Sequence, residues 1–191
     1  MNRRLVRLAG VCLAAFLAVI PALAQTDAQK PKEPPKPALG PSGAVLDQWN
    51  DIGRKIIAIA EDLPEDKYDY KPNPDSRTFI QALLHVSASM YYFTDPVLGQ
   101  KPRYPDEPKR DNLQTKAQIV AFVKKAVQDG ADVIKAKGDV GMAAAINAGG
   151  PRLYRIDELA YGLCEHSGEH YGQMVVYYRA NGMVPPESRK K

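Results

Sequence analysis

Apolar residues recur at helical spacing in four segments of the chain, and no segment shows a convincing strand-like alternation of apolar and polar residues. The segments run from about 44 to 61, from about 76 to 93, from about 115 to 136 and from about 156 to 180. Asp75 or Ser76 is the predicted N-cap of the second helix, and Gly182 followed by two prolines ends the fourth. The pattern predicts an all-α domain.

Two of the predicted helices carry histidines along or beside their apolar stripes. On the second helix, the apolar stripe consists of Phe79, Leu83, Val86 and Met90. His85 lies on a neighbouring strip whose other members are smaller or more polar, namely Ala82, Ser89 and Tyr92. This strip leaves room for a core-facing site. On the fourth helix, the predicted stripe consists of Leu159, Leu163, His166, His170, Gln173 or Met174, and Tyr177.

The connections between the predicted helices are unequal in length. About 20 residues, from 94 to 114, separate the second helix from the third, and they contain four prolines. A short loop joins antiparallel neighbours, whereas this length permits a crossover that places the next helix parallel. A short helical turn is predicted around Met142 to Ile146, between the third and fourth helices. We therefore predict a four-helix bundle with one long crossover between helices 2 and 3.

The first 24 residues have the features of a secretory signal peptide. Three arginines precede the apolar run LAGVCLAAFLAVI, and Ala22-Leu23-Ala24 forms a small-x-small cleavage site. The run is too short to remain as a membrane span. Residues 25–42 are rich in proline and have no apolar period, which predicts a flexible spacer. We expect cleavage near Ala24, a periplasmic or secreted bacterial protein without stable membrane insertion, and one domain over residues 43–191.

The net charge of +4 does not indicate nucleic-acid binding. The signal and the spacer together carry six of the 26 basic residues and two of the 22 acidic ones, so the remaining domain has no formal charge. A surface that follows phosphates needs an excess of Lys and Arg. Of the two cysteines, Cys12 leaves with the signal, so Cys164 has no intramolecular partner. Cys164 is either a reactive thiol or, as is commoner, a small buried residue.

The stretch CEHSGEHYGQ, residues 164–173, places His166 and His170 four residues apart on the fourth predicted helix. Positions four apart differ by about 40° around a helix, so both imidazoles emerge on one face. His85 is the only other histidine of the sequence. If the second and fourth helices are neighbours, three neutral nitrogens converge and leave a coordination position open, as in catalytic metal sites. Gln173, on the same face, could orient a ligand histidine.

Two other interpretations of these residues remain open. A single histidine in a helical core is commonly a hydrogen-bonded structural residue. Residues 166–170 also match H-x-x-E-H, the pattern of zinc peptidases in which the glutamate, here Glu169, is the general base. Such enzymes take an acidic third ligand well downstream, and the only acid after His170 is Glu187, beyond two prolines. A peptidase is not favoured, and Glu169 is expected to be a charge on the helix face.

Three stretches together resemble the DinB-like superfamily, which includes the YfiT-type thiol transferases. They are AEDLPEDKYDYKPNPDSRTF, QALLHVSASMYYF and the closing HSGEHYGQMVVYYRANGMVPP, and the similarity extends from about Leu46 to Pro186. The resemblance implies a four-helix bundle of up-down-down-up order. It also implies a divalent ion, typically nickel or zinc, held by His85, His166 and His170. Members often dimerise, so a homodimer is an expectation.

The leading hypothesis is a metal-dependent enzyme of transferase or hydrolase type that acts on a small molecule. Characterised members of the superfamily include transferases that join low-molecular-weight thiols to electrophiles, but no substrate is carried over to this chain. Candidate pocket walls are Tyr91, Tyr92, Tyr171, Tyr177 and Tyr178. The alternative is a non-catalytic metal-binding or dimerising bundle, which the spacer tethers near an exported partner.

Overall fold

The computed structural model describes residues 36–104 and 108–190, and the residues from Pro37 onward form one unit. Its helices are α1 Pro41–Asp62, α2 Phe79–Ser89, α3 Tyr91–Val97, α4 Lys116–Met142 and α5 Ile156–Ala180. Two short strands, β1 Ala145–Ile146 and β2 Tyr154–Arg155, form an antiparallel hairpin between α4 and α5. The predicted signal peptide and most of the predicted spacer lie outside the described residues. Each helix in the described ranges is too short or too polar to cross a membrane.

Contacts near the helix ends show that α4 runs antiparallel to α1. Ser42, in the first turn of α1, donates its backbone N–H and its hydroxyl to the Asp139 carboxylate near the end of α4. At the opposite end, the Lys116 ammonium in the first turn of α4 donates to the Leu63 carbonyl oxygen, just after α1. The long crossover therefore leads into a helix that returns alongside the first.

The last helix, α5, runs parallel to α1 and antiparallel to α2. The Tyr178 hydroxyl, near the end of α5, donates to the Ile59 carbonyl oxygen near the end of α1 at 3.1 Å. The Tyr177 hydroxyl donates to the Arg77 carbonyl oxygen, just before α2, at 2.6 Å. With α2 and α3 taken as one rod, the order is up-down-down-up. The predicted all-α four-helix bundle is confirmed.

The second rod of the bundle is broken at Met90, where the sequence predicted one continuous helix to about residue 93. Three hydroxyls on this rod donate to the carbonyl oxygen four residues earlier, those of Ser87, Ser89 and Thr94. Such bonds compete with the backbone ladder and bend helices. The rod resumes as α3 and continues to Val97. The apolar stripe predicted for this rod is confirmed, because all four of its residues are buried.

The start of α2 differs from the prediction, since its N-cap is Thr78. The Thr78 hydroxyl accepts from the Gln81 backbone N–H, and the Gln81 side chain accepts from the Thr78 N–H, which forms a capping box. Asp75 and Ser76 belong to the turn before it, where both backbone N–H groups donate to the Asn73 side-chain oxygen. The asparagine turn holds these two residues outside the helix.

The start of the first helix and the segment after the third predicted helix also differ from the sequence prediction. The first helix begins at Pro41, three residues before the predicted start, and its first turn is capped by Asp139. Gly138 has φ of 58° and interrupts α4 just before that carboxylate. The helical turn predicted around Met142 to Ile146 was wrong, because Ala145–Ile146 pairs with Tyr154–Arg155. Strands of two residues are too short to show the alternation that identifies a strand.

The core between α1 and α4 depends on a close approach of the two helices at Gly130. The Trp49 indole of α1 is buried and donates its N–H to the Val127 carbonyl oxygen of α4 at 2.8 Å. A Cβ atom on Gly130 would overlap this ring. Glycine at this position therefore allows the largest buried side chain of α1 to lie flat against α4.

We expect Gly130→Ala to lower the free energy of unfolding by about 1–3 kcal/mol, the usual cost of overpacking a core. The matched control is Gly172→Ala on α5, where an added Cβ meets open space. That control should raise stability by about 0.5–1 kcal/mol, because glycine is unfavourable inside a helix. Urea unfolding followed by circular dichroism measures both changes. Equal effects of the two substitutions would contradict the packing at Trp49.

Candidate metal centre

The structure brings together the three histidines that the sequence singled out. The ring centroids of His166 and His170 lie 4.5 Å apart. The ring centroid of His85 lies 5.3 Å from that of His166 and 4.6 Å from that of His170. Each ring offers one nitrogen such that the three atoms all lie within 4.8 Å of one another. His85 comes from α2, and the other two come from α5. Two helices therefore supply one compact group of three imidazoles.

The register between α2 and α5 places His85 opposite the α5 pair. The Tyr177 hydroxyl bonds the Arg77 carbonyl oxygen, which aligns these two positions of antiparallel segments. His85 lies eight residues after Arg77, and the position eight residues before Tyr177 falls between His166 and His170. Because helical residues advance equally along both axes, the three rings reach the same level.

The histidine site is partly shielded from water, which favours neutral imidazoles. His170 is 7% exposed, while His85 and His166 are half-buried. Burial is the main cause that lowers the pKa of both His166 and His170, and the neighbouring histidines lower these pKa values further. The charge of Arg77 acts in the same direction on both rings. Neutral nitrogens are the form that binds metal ions.

The donor set fits a divalent transition-metal ion. Imidazole nitrogen is a ligand that suits zinc and nickel, and three such ligands leave further coordination positions for other groups. His170 Nδ1 is buried and has no hydrogen-bond partner in the part of the chain that the structure describes. An unpartnered buried nitrogen costs free energy unless something binds it. These three residues can therefore hold one ion.

Comparisons with known proteins agree with this arrangement. The model of the DinB superfamily matches residues 48–174, which is more than half of the chain. The chain belongs to the DinB superfamily. The resemblance seen in the sequence is thus confirmed. No curated protein matches it in sequence.

A solved structure shares the DinB fold with this protein. It is a DinB-like protein, YjoA, from Bacillus subtilis, with 18% sequence identity and a TM-score of 0.61. The match covers 78% of this chain and 99% of that one. At this level of identity the similarity concerns the fold alone.

Two polar residues of α5 flank the histidines of this DinB-superfamily protein. Gln173 is exposed beside His170, and its amide opposes the lowering of the His170 pKa. Glu169 is exposed, and its charge raises the pKa of His166 against the larger effect of burial. Glu187, the only acid downstream, forms an ion pair with Arg54 of α1. Engaged with α1 in this way, Glu187 gives no support to the peptidase interpretation.

Of the five tyrosines considered as pocket walls, one lines a cavity between α2 and α5, whose lining includes Ala82 and Gln173, each one turn from a histidine. That residue is Tyr177, and the cavity has a volume of about 380 Å³. Tyr178 is buried against Ile59, Tyr91 bonds Asp129 of α4, and Tyr92 is exposed. Tyr171 is half-buried, and the charge of Glu187 helps to raise its pKa. Contacts with other helices therefore account for Tyr178 and Tyr91.

The buried face of α5 is rotated relative to the predicted stripe. Leu159 and Leu163 are only half-buried, and the buried positions are Ile156, Ala160, Cys164, Ser167, His170, Met174, Tyr177 and Tyr178. Burial raises the pKa of the Cys164 thiol to about 11, so it remains protonated at neutral pH. The structure also adds Arg77, which sequence reasoning missed because an arginine before a helix has no distinctive pattern.

Acidification should destabilise the metal-free protein through these histidines. The pKa values of folded His166 and His170 lie below the value of about 6.5 for an unfolded histidine. The unfolded chain then binds more protons as the pH falls through about 6.5, so the free energy of unfolding decreases. Urea unfolding from about pH 8 to about pH 5 measures this loss. The double substitution His166→Gln with His170→Gln should flatten the dependence of stability on pH. A double variant with the same pH dependence as the original protein would contradict the lowered pKa values of these two histidines.

Proposed function

We propose that this protein is an exported enzyme that acts on a small molecule through one divalent ion, either zinc or nickel. His85, His166 and His170 are the ligands in this proposal. The observation that carries it is the convergence of three imidazoles from two helices. The reaction is of the transferase or hydrolase type.

Three protein ligands are typical of catalytic sites, whereas structural zinc sites are usually closed by four. The ion would supply Lewis-acid chemistry, which activates a group bound to it. The clustered histidines therefore support a reactive centre in preference to a structural one.

The residues of this chain would bind and orient the substrate. The cavity of about 380 Å³ lies within the usual range for small-molecule sites. It is lined by Gln173, which is one turn beyond His170, and by Tyr177 one turn further. The amide of Gln173 can donate and accept hydrogen bonds. A small molecule in this cavity would have one end at Gln173, one turn from His170.

Substitution of any ligand should release the ion. We expect His85→Ala, His166→Ala and His170→Ala each to reduce the affinity for the metal ion. The loss should exceed the roughly tenfold to hundredfold loss that follows substitution of residues which only orient a ligand. Glu169→Gln is the matched control, because this exposed side chain adjoins His170, and it should retain the ion. Elemental analysis of protein purified without a histidine tag, with circular dichroism to confirm folding, measures the outcome.

Cobalt substitution distinguishes an enzyme from a non-catalytic module. A change in the visible spectrum when imidazole is added would indicate an open coordination position, as the proposed enzyme requires. A spectrum unaffected by imidazole favours the metal-binding module. Metal content that is unaffected by all three histidine substitutions would overturn the proposal itself.

Export is supported only by the sequence of the first 24 residues, which lie outside the part of the chain that the structure describes. Expression of the full chain in a Gram-negative host should yield periplasmic protein whose first residue is Gln25. Mass spectrometry of the periplasmic fraction measures this. Deletion of residues 2–24 is the control and should leave the protein in the cytoplasm. Full-length protein that remains in the cytoplasm would contradict export.

A further inference from the structure

Two polar atoms on the buried side of α5 have no hydrogen-bond partner within residues 36–104 and 108–190. They are the Oγ atom of Ser167 and the Nδ1 atom of His170. Ser167 is 1% exposed and His170 is 7% exposed, so both side chains are shielded from bulk water. Buried polar groups in folded proteins are paired in the great majority of cases. Two unpaired atoms on one helix therefore require an explanation.

Ser167 and His170 are neighbours on the helix. Positions three apart lie on adjacent turns, with Cβ atoms about 5–6 Å apart. Helical side chains lean toward the N-terminus, so the His170 ring extends back over the turn that carries His166 and Ser167. On that turn, His166 is half-buried at the open side of the helix, whereas Ser167 is buried on the inner side. Helix geometry therefore places the Ser167 hydroxyl next to the inner edge of the His170 ring.

A second buried serine, at the same level on α2, shows the bonding that Ser167 lacks. Ser87 lies ten residues after Arg77, and Ser167 lies ten residues before Tyr177, whose hydroxyl bonds the Arg77 carbonyl oxygen. The Ser87 hydroxyl donates to the Leu83 carbonyl oxygen, four residues earlier, at 2.8 Å. This bond to the preceding turn is the usual one for a serine inside a helix. The Ser167 hydroxyl makes no such bond, so it can both donate and accept.

We propose that Ser167 is a positioning residue of the metal centre, whose hydroxyl accepts a hydrogen bond from Nδ1–H of His170 when the ion is bound. This inference rests on the proposed function. An imidazole that binds a metal ion through one nitrogen carries its proton on the other, and a partner for that proton fixes the tautomer and the orientation of the ring. Nε2 is then the ligand atom of His170. The hydroxyl can turn toward the Nδ1 proton by changing between staggered rotamers.

This pairing explains why a serine that lowers stability occupies the position. In the metal-free protein, the unpaired hydroxyl and the unpaired nitrogen both oppose folding. With Nε2 bound to the ion, the proton stays on Nδ1, and one hydrogen bond removes both unpaired atoms. Ser167 thus lowers the stability of the metal-free protein and raises its affinity for the ion. A serine with a purely structural role would support folding whether or not metal is present.

The experiment compares Ser167→Ala with Ser87→Ala, which removes the same hydroxyl from an equally buried position on the facing helix. Competition with a chelating dye measures the affinity for zinc or nickel, and urea unfolding measures the stability of the metal-free protein. We expect Ser167→Ala to weaken metal binding by about tenfold to hundredfold, the usual effect of removing a group that orients a ligand. The same variant should unfold at a higher urea concentration when metal-free. Ser87→Ala should leave the metal affinity unchanged.

NMR spectroscopy identifies the nitrogen of His170 that carries the proton. The zinc-loaded protein, labelled with a heavy nitrogen isotope in its histidines, should show this proton on Nδ1. In Ser167→Ala the proton should exchange faster with water, because its hydrogen-bond partner is absent. This measurement reports on the hydrogen bond itself and does not depend on any enzymatic activity.

The outcomes separate this inference from the function on which it rests. Metal affinity that is unchanged in Ser167→Ala, or equally reduced in Ser87→Ala, would overturn the role of Ser167 while leaving the metal centre intact. A His170 proton on Nε2 in the zinc-loaded protein would do the same, since Nδ1 would then be the ligand. Weaker metal binding together with a less stable metal-free protein would indicate a structural serine. A protein that binds neither zinc nor nickel would overturn both proposals.

Discussion

The antiparallel register of α2 against α5 is the constraint on which the site depends. A slip of one helical turn would move His85 by about 5.4 Å and separate it from the α5 pair. The same slip would displace Phe79, Leu83 and Val86 from positions in which each is fully buried. Burial of each such side chain contributes about 1.5–3 kcal/mol, whereas the hydrogen bond from Tyr177 contributes about 1 kcal/mol. The apolar face therefore holds the register, and the hydrogen bond marks where the two segments align.

The histidine cluster occupies a position that stability alone would fill differently. His170 is as buried as a core residue, yet its Nδ1 has no hydrogen-bond partner among the described residues. The buried hydroxyl of Ser167, one turn before it, is also without one. Each unpaired buried group costs about 1–3 kcal/mol, and an apolar side chain would avoid that cost. Polar residues that lower stability in this way are common where a site serves binding or catalysis.

Helical periodicity predicted much of this architecture because long amphipathic helices repeat the same signal many times. The fourth predicted helix, 156–180, agrees with α5 at both ends. The spacing of His166 and His170 predicted their shared face for the same reason. That α2 packs against α5 was an assumption at that stage, since periodicity shows which face is buried but not against which partner. The resemblance to the superfamily supplied the bundle order. The contacts between α1 and α4 at both their ends, with the bonds of Tyr177 and Tyr178 near the end of α5, establish it.

The features that the sequence did not predict depend on single bonds rather than on repeated patterns. The break at Met90 arises where serine and threonine hydroxyls bond to the backbone, although these residues also occur in unbroken helices. The start at Thr78 depends on the Asn73 side chain, which holds the preceding residues in a turn. Such competition is decided by a few local side-chain bonds, so alternative caps in one sequence look equally suitable.

Charged side chains around the histidine cluster also bear on cation binding. Neutral imidazoles around a divalent ion leave its two positive charges uncompensated by the ligands, and Arg77 adds a third nearby. The charge of Arg77 would therefore oppose cation binding, in the same sense in which it helps to lower the pKa values of His166 and His170. Exposed Glu165 and Glu169 act in the opposite sense on the pKa of His166, and solvent screens both charges. Any anion bound beside the ion would offset the excess positive charge, and the two binding events would then strengthen each other.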